Sequence, residues 1–185
     1  GLVAFCSGEM GSFTRILAPI LGSPFTYAAP AQLHGYEDNA TTAPGQLRVN
    51  DMHGLAPPGG LSPETAVFGV VGKPVSQSWS PRVHGMALKA AKLDAVYLAF
   101  EPDDIASFLS LADDACFRGF SITAPFKAGA LIQSKSGDSL SERAEAANTL
   151  VREKDGWRAF NTDVPAIRET LERAMQMHSR EPGRP

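Results

Sequence analysis

The chain has 185 residues, 43% of them hydrophobic, and its 17 Lys and Arg against 20 Asp and Glu leave a net charge of −3. That is enough apolar content for one or two units with a buried core, and it leaves no basic footprint for nucleic acid or an anionic membrane. The four His lack paired metal-ligand spacing, no apolar run approaches the roughly 20 residues that span a bilayer, and Cys6 and Cys116 stand far apart, so the sequence predicts no metal, no membrane and two reduced thiols in a cytoplasmic protein.

Ile16, Leu17, Ile20 and Leu21 recur at helical spacing, with Gly22 as a stop, and predict a short helix over 14–21. Residues 25–28 read as a brief strand and 42–46 as a turn. The proline and glycine density of 55–63 marks a domain boundary. Residues 66–71 form a β-branched run suited to a buried strand, and Ser80-Pro81 opens a helix as N-cap and first-turn proline, with Val83, Ala87, Ala90 and Ala91 as its apolar face. A second strand at 96–100 precedes a helix carrying Ile105, Phe108, Leu109 and Ala112, and a third strand lies near 119–123. Strand alternating with helix predicts a mainly parallel α/β sheet. Segments 148–152 and 157–160 flank Asp155-Gly156, a hairpin signal, and a last helix from about Asp163 carries Ile167, Leu171, Ala174 and Met175 on one side. Gly1 in place of Met and the linker-like residues 179–185 predict an internal piece of a longer polypeptide.

In an open α/β sheet, ligands sit beyond the carboxyl ends of the strands. Four polar loops fall there. In Gly72-Lys73-Pro74-Val75-Ser76-Gln77-Ser78-Trp79-Ser80-Pro81, two serines stand just before a helix, where hydroxyls and backbone N–H groups can hold a carboxylate; the plain alternative is that Ser80 is only a cap. Ser121-Ile122-Thr123-Ala124-Pro125-Phe126-Lys127 ends a strand in hydroxyls followed by a lysine. Asn148-Thr149 and Asn161-Thr162-Asp163 each set an amide beside a hydroxyl, and the latter also reads as a helix cap. Lys127 and Asp163 are an acid–base pair that could meet across a cleft, and such a pair can move a substrate hydroxyl proton, a role worth roughly 10² to 10⁴ in rate.

The four loops, in this order, resemble the shikimate dehydrogenase family. Gly72 through His84 is similar to its G-x-P-x-x-x-S-x-S-P-x-x-H stretch, residues 121–127 to N-V-T-x-P-x-K, Asn148-Thr149 to A-x-N-T, and 161–163 to N-T-D. The resemblance implies Lys127 and Asp163 as the catalytic pair, Ser78, Ser80, Ser121, Thr123 and Asn148 with Asp163 as substrate contacts, and NADP as cofactor. It covers about residues 66–178. Ser121 stands where many members have Asn, a change that leaves a shorter hydrogen-bonding group and that resembles the bifunctional plant-type enzymes. Glu145, Ala159 and Ala166 stand where glycine is common, and a side chain there obstructs if the backbone needs positive φ.

Residues 1–53 resemble the end of a type I 3-dehydroquinate dehydratase, a (β/α)₈ barrel. Arg15 looks like that family's substrate-carboxylate arginine, and Thr42 and Gln46 like its substrate-contacting lid loop. That family works through a Schiff-base lysine, and no Lys precedes Lys73. No G-x-G-x-x-G turn is present for a dinucleotide. The expected organisation is therefore a partial barrel end over 1–53, a linker over 54–64, an open α/β substrate-binding domain over 65–178, and from 179 the start of a linker to a missing NADP-binding domain. The expected activity is NADPH-dependent reduction of 3-dehydroshikimate to shikimate. Alternative expectations are a quinate/shikimate dehydrogenase of relaxed specificity and a non-catalytic shikimate-binding module.

Overall fold

The computed structural model describes residues 1–8, 11–30, 43–114 and 116–179. Helices α1 (Thr14–Ile20) and α2 (Val49–Leu55) precede a six-stranded sheet. Its strands are β1 (Ala66–Val71), β2 (Ala95–Phe100), β3 (Phe117–Ile122), β4 (Ser136–Gly137), β5 (Thr149–Glu153) and β6 (Gly156–Phe160), in the order β2-β1-β3-β5-β6-β4. Between them run α3 (Ser80–Ala90), α4 (Ile105–Leu111), α5 (Lys127–Ile132) and α6 (Ser139–Ala144), and α7 (Asp163–Ser179) follows. β1 pairs parallel with β2 and β3, β5 pairs antiparallel with β3 and β6, and β4 joins β6 in parallel. The mainly parallel α/β sheet is the one that strand–helix alternation predicts.

One sheet face carries Val67, Val71, Leu98, Phe100, Phe120 and Ile122 against Ile105 and Leu109 of α4 and Ala130 of α5. Phe100, 1% exposed, sits at its centre with Phe13, Phe108 and Phe120 at ring distances of 4.9, 5.2 and 5.7 Å. Gly69 makes room for it, since a Cβ there would come within 2.5 Å of the Phe100 ring. Ile16, Leu17 and Ile20 of α1 and Met52 of α2 belong to the same core. The opposite face packs Val70, Val75 and Tyr97 under Leu88 of α3.

Several expectations are corrected. The strand read at 25–28 is not formed; the neighbouring Ala29 makes a lone bridge to Arg48. The turn read at 42–46 is present in its described part, and Thr42 lies outside the described residues. Ser80 is not the cap of α3: the helix begins at Ser80, Trp79 precedes it without a side-chain cap, and the Ser80 N–H donates to Ser78 Oγ at 3.2 Å. Nor does α3 turn Val83, Ala87, Ala90 and Ala91 into the core; Gly85 is its one buried residue and Leu88 packs on the sheet, because a residue without a side chain allows closer approach. Ile167, Leu171 and Met175 of α7 share one side but are exposed. The β5–β6 hairpin forms with Lys154-Asp155 at its tip, and the positive φ of 138° falls on Gly156 beyond it.

Of the three replaced glycines, only Glu145 needs an unusual backbone. It ends α6 at φ 50°, ψ 31°, whereas Ala159 lies in β6 and Ala166 in α7 with ordinary φ. A left-handed residue with a Cβ costs roughly 1–2 kcal/mol. Glu145→Gly is accordingly expected to raise stability by about 1 kcal/mol in urea unfolding; an unchanged or lower midpoint would show this turn to be unstrained.

Candidate functional site

Two strand-to-helix turns are locked together at the carboxyl end of the sheet. The Thr123 N–H donates to Val71 O and the Lys73 N–H to Ala124 O, each at 2.9 Å, and a Cβ on Gly72 would lie 2.2 Å from Thr123 Cγ2. The β1–α3 loop then doubles back as the Ser78 N–H donates to Val75 O at 2.9 Å. Ser78 and Ser80 thereby share with Thr123 one cleft of about 500 Å³, with Gln77 and Val70 also on its wall. These three predicted residues are brought together.

Beside Thr123, α5 opens with Lys127, whose Nζ donates to Asp163 Oδ2 at 2.7 Å. The partners are 36 residues apart in sequence. Their side chains remain 38% and 42% exposed, so the pair is open to a ligand rather than sealed in the core. Asn148 Nδ2 donates to Asp163 Oδ1 at 2.7 Å and to Thr162 Oγ1 at 2.8 Å, while its Oδ1 accepts from the Thr162 N–H at 3.0 Å. The amide therefore fixes the carboxylate's orientation. Hydrogen bonds from Lys127, then from Asn148, together with the lysine's charge, hold the Asp163 carboxyl below its ordinary value against the opposing effect of burial. Asn161 takes the capping role: its Oδ1 accepts from the Asp163 and Val164 N–H groups, and its Nδ2 donates to Ala146 O.

Ser121 is not a member of the cleft wall just described. Its Oγ accepts from the Tyr97 hydroxyl at 2.8 Å, and the Tyr97 ring stacks on His84 at 4.3 Å. Burial pushes the Tyr97 hydroxyl's pKa up. Tyr97 is not singled out by the sequence; the available signal is a polar-tipped aromatic in an otherwise apolar strand. Glu101, equally silent in the sequence, follows β2 and accepts from the N–H groups of Val75 and Ser76.

The other predicted residues lie apart. Arg15 is 3% exposed, with its guanidinium 4.4 Å from the Phe5 ring centroid and its Nε without a hydrogen-bond partner among the described residues. Gln46 lines a second cavity of about 430 Å³ with Phe13, Ser76 and Glu101. Burial, reinforced by Asp114, pushes the Cys116 thiol up to about 11, which suits an inert cysteine. No metal-binding cluster is formed among the described residues, and none of their helices is long and apolar enough to cross a membrane. Nor do they fit a dinucleotide. Gly72 is the one described glycine in a parallel-strand-to-helix turn, and Thr123 and Val75 fill the space where a phosphate would approach.

Residues 70–150 match the family model of the shikimate dehydrogenase substrate binding domain, and residues 1–56 that of type I 3-dehydroquinase. The chain is 34% identical over 175 residues to the chloroplastic bifunctional 3-dehydroquinate dehydratase/shikimate dehydrogenase of Arabidopsis thaliana, covering 91% of this chain and 28% of that protein. It is 40% identical over 116 residues to a shikimate dehydrogenase (NADP(+)) of Anaeromyxobacter sp. (strain K), covering 62% of this chain and 42% of the relative. The crystal structure of shikimate 5-dehydrogenase from Thermus thermophilus in complex with NADP(H) and shikimate superimposes with a TM-score of 0.53 at 32% identity, over 59% of this chain and 42% of that one. The chain thus spans well under half the length of these relatives, and it joins in one polypeptide a segment of the type I 3-dehydroquinase family and a shikimate dehydrogenase substrate-binding domain.

Proposed function

We propose that residues 65–178 bind shikimate and 3-dehydroshikimate and supply the proton-transfer groups for NADPH-dependent interconversion of the two. Residues 1–53 are read as the closing part of a dehydratase barrel, with 54–64 as linker. The observation that carries the dehydrogenase reading is the half-exposed Lys127–Asp163 pair at 2.7 Å, which begins four residues beyond the Thr123 wall of the serine-lined cleft. The Thermus relative, whose fold is shared, is described with shikimate bound.

On this reading the hydroxyls of Ser78 and Ser80 receive the substrate carboxylate, Thr123 faces the ring from the turn after β3, and Ser121 reaches it from within β3 through a hydroxyl shared with Tyr97. Asp163 reaches a ring hydroxyl while its other oxygen holds Lys127. Asn148 acts chiefly through Asp163, because its amide N–H groups are already committed to Asp163 and Thr162. Lys127 delivers a proton to the carbonyl oxygen that becomes the alcohol and, in the reverse direction, accepts it. NADPH would supply the hydride when bound, and NADP(+) would take it back in the reverse direction; the residues described here do not form its site. Schiff-base dehydratase chemistry needs a lysine that residues 1–53 do not contain. A cytoplasmic setting agrees with two free cysteines.

In a protein that unites this chain with the cofactor-binding remainder of a shikimate dehydrogenase, Lys127→Ala is expected to lower kcat for shikimate oxidation about 10²-fold or more with little change in KM. Retention of kcat would remove Lys127 from proton transfer. Carbon-detected NMR titration should place the Asp163 carboxyl below 3.8 and move it up in Lys127→Ala. Because the folded-state value is depressed, the pair's contribution to stability is present above the unfolded-state pKa and fades as pH falls through the folded one. Wild type and variant should therefore differ most near neutrality and converge in acid. An unmoved Asp163 midpoint would show the contact to be absent in solution.

A further inference from the structure

Glu101 stands one residue beyond β2, at the same end of the sheet as the serine-lined cleft, and its Oε1 accepts from two consecutive backbone N–H groups, those of Val75 and Ser76. These residues begin the stretch that carries Ser78 and Ser80. Val75 is buried between Val70 and Tyr97, and its carbonyl receives the Ser78 N–H at 2.9 Å. Ser78 Oγ in turn accepts from the Ser80 N–H at 3.2 Å. An unbroken series of contacts thus runs from the Glu101 carboxylate to both serines.

The placement is electrostatically unfavourable for simple anion capture. A carboxylate beside a loop that receives a substrate carboxylate repels the incoming charge, and Ser76 and Glu101 lie together on the wall of the second cavity, next to Phe13. Its value must lie in the two charge-assisted hydrogen bonds, which are roughly twice as strong as neutral ones and hold otherwise free peptide N–H groups in one direction. Resting on the reading of Ser78 and Ser80 as carboxylate ligands, we infer that Glu101 is a positioning residue: it presets the β1–α3 loop so that both hydroxyls face the substrate before it arrives. The loop's ordering cost is then met on folding rather than on binding.

Calorimetric titration of the 185-residue chain with shikimate, paired with amide NMR of Val75 and Ser76, tests this. Glu101→Ala is expected to weaken shikimate binding about 10-fold and to shift both amide protons upfield, as loss of a carboxylate acceptor does. Glu101→Gln keeps the acceptor oxygen and should restore affinity to within about threefold of wild type, a rescue that loosened packing alone would not show. Equal affinity of wild type and Glu101→Ala overturns this inference alone. Wild type without measurable affinity overturns the serine reading and, with it, the inference.

Discussion

Strand β3 has parallel pairing on one side and antiparallel pairing on the other, and the site follows from that asymmetry. Parallel register with β1 sets Val71 beside Ile122, so the turns after both strands leave the sheet at one end. Antiparallel register with β5 sets Ser121 beside Thr149, which brings the start of β5, and with it Asn148, to that same end. β6 then runs back antiparallel to β5, with Phe160 opposite Thr149, and delivers Asn161-Thr162-Asp163 there as well. A fully parallel sheet would send the start of the fourth strand to the opposite end. The topology alone therefore gathers a lysine, an aspartate and an asparagine from loops up to 36 residues apart.

The Lys127–Asp163 contact depends on this convergence, and its chemistry depends on partial exposure. A sealed ion pair would be dominated by desolvation and would have little room to exchange a proton with a ligand. A fully solvated pair would contribute little and would not hold one geometry. Here the carboxylate is fastened at both oxygens, by Lys127 on one and Asn148 on the other, while more than a third of each charged side chain stays accessible. Orientation comes from the amide, and charge balance from the lysine. Asn161 adds rigidity from behind by capping the helix on which Asp163 stands.

Much of this is legible in the sequence, for reasons that differ by element. β1 is readable to the residue because a β-branched run covered on both faces has few other uses. The α4 face is readable because Ile105, Leu109 and Ala112 keep helical period and all are buried. The inward face of α3 escapes periodicity, which counts side chains, because its buried position belongs to Gly85, which has none. Spacing also cannot tell a capping Ser80 from a first-turn residue whose N–H is held by Ser78. The pairing of Lys127 with Asp163 is legible only as a possibility, since no local pattern reports which strand ends coincide. Tyr97 and Glu101 are silent for the same reason: one looks like a strand residue and the other like a solvated acid until the β1–α3 loop is placed against them.

The N-terminal segment enters this system through packing on the sheet's core. Ile16, Leu17, Ile20 and Met52 are buried in the same core as the sheet, and Phe13 meets Phe100 edge-on at 4.9 Å. Each such aromatic contact contributes about 0.5–1.5 kcal/mol beyond burial, so the segment is coupled to the strand that ends in Phe100-Glu101. Phe13 and Gln46 also share the second cavity with Ser76 and Glu101. Arg15, by contrast, is buried against Phe5 and does not share that cavity wall. The first segment thus meets the second by apolar contact at the end of β2, beside the loop that carries the two serines. A change in the packing of α1 would reach the cleft through Phe100 and Glu101.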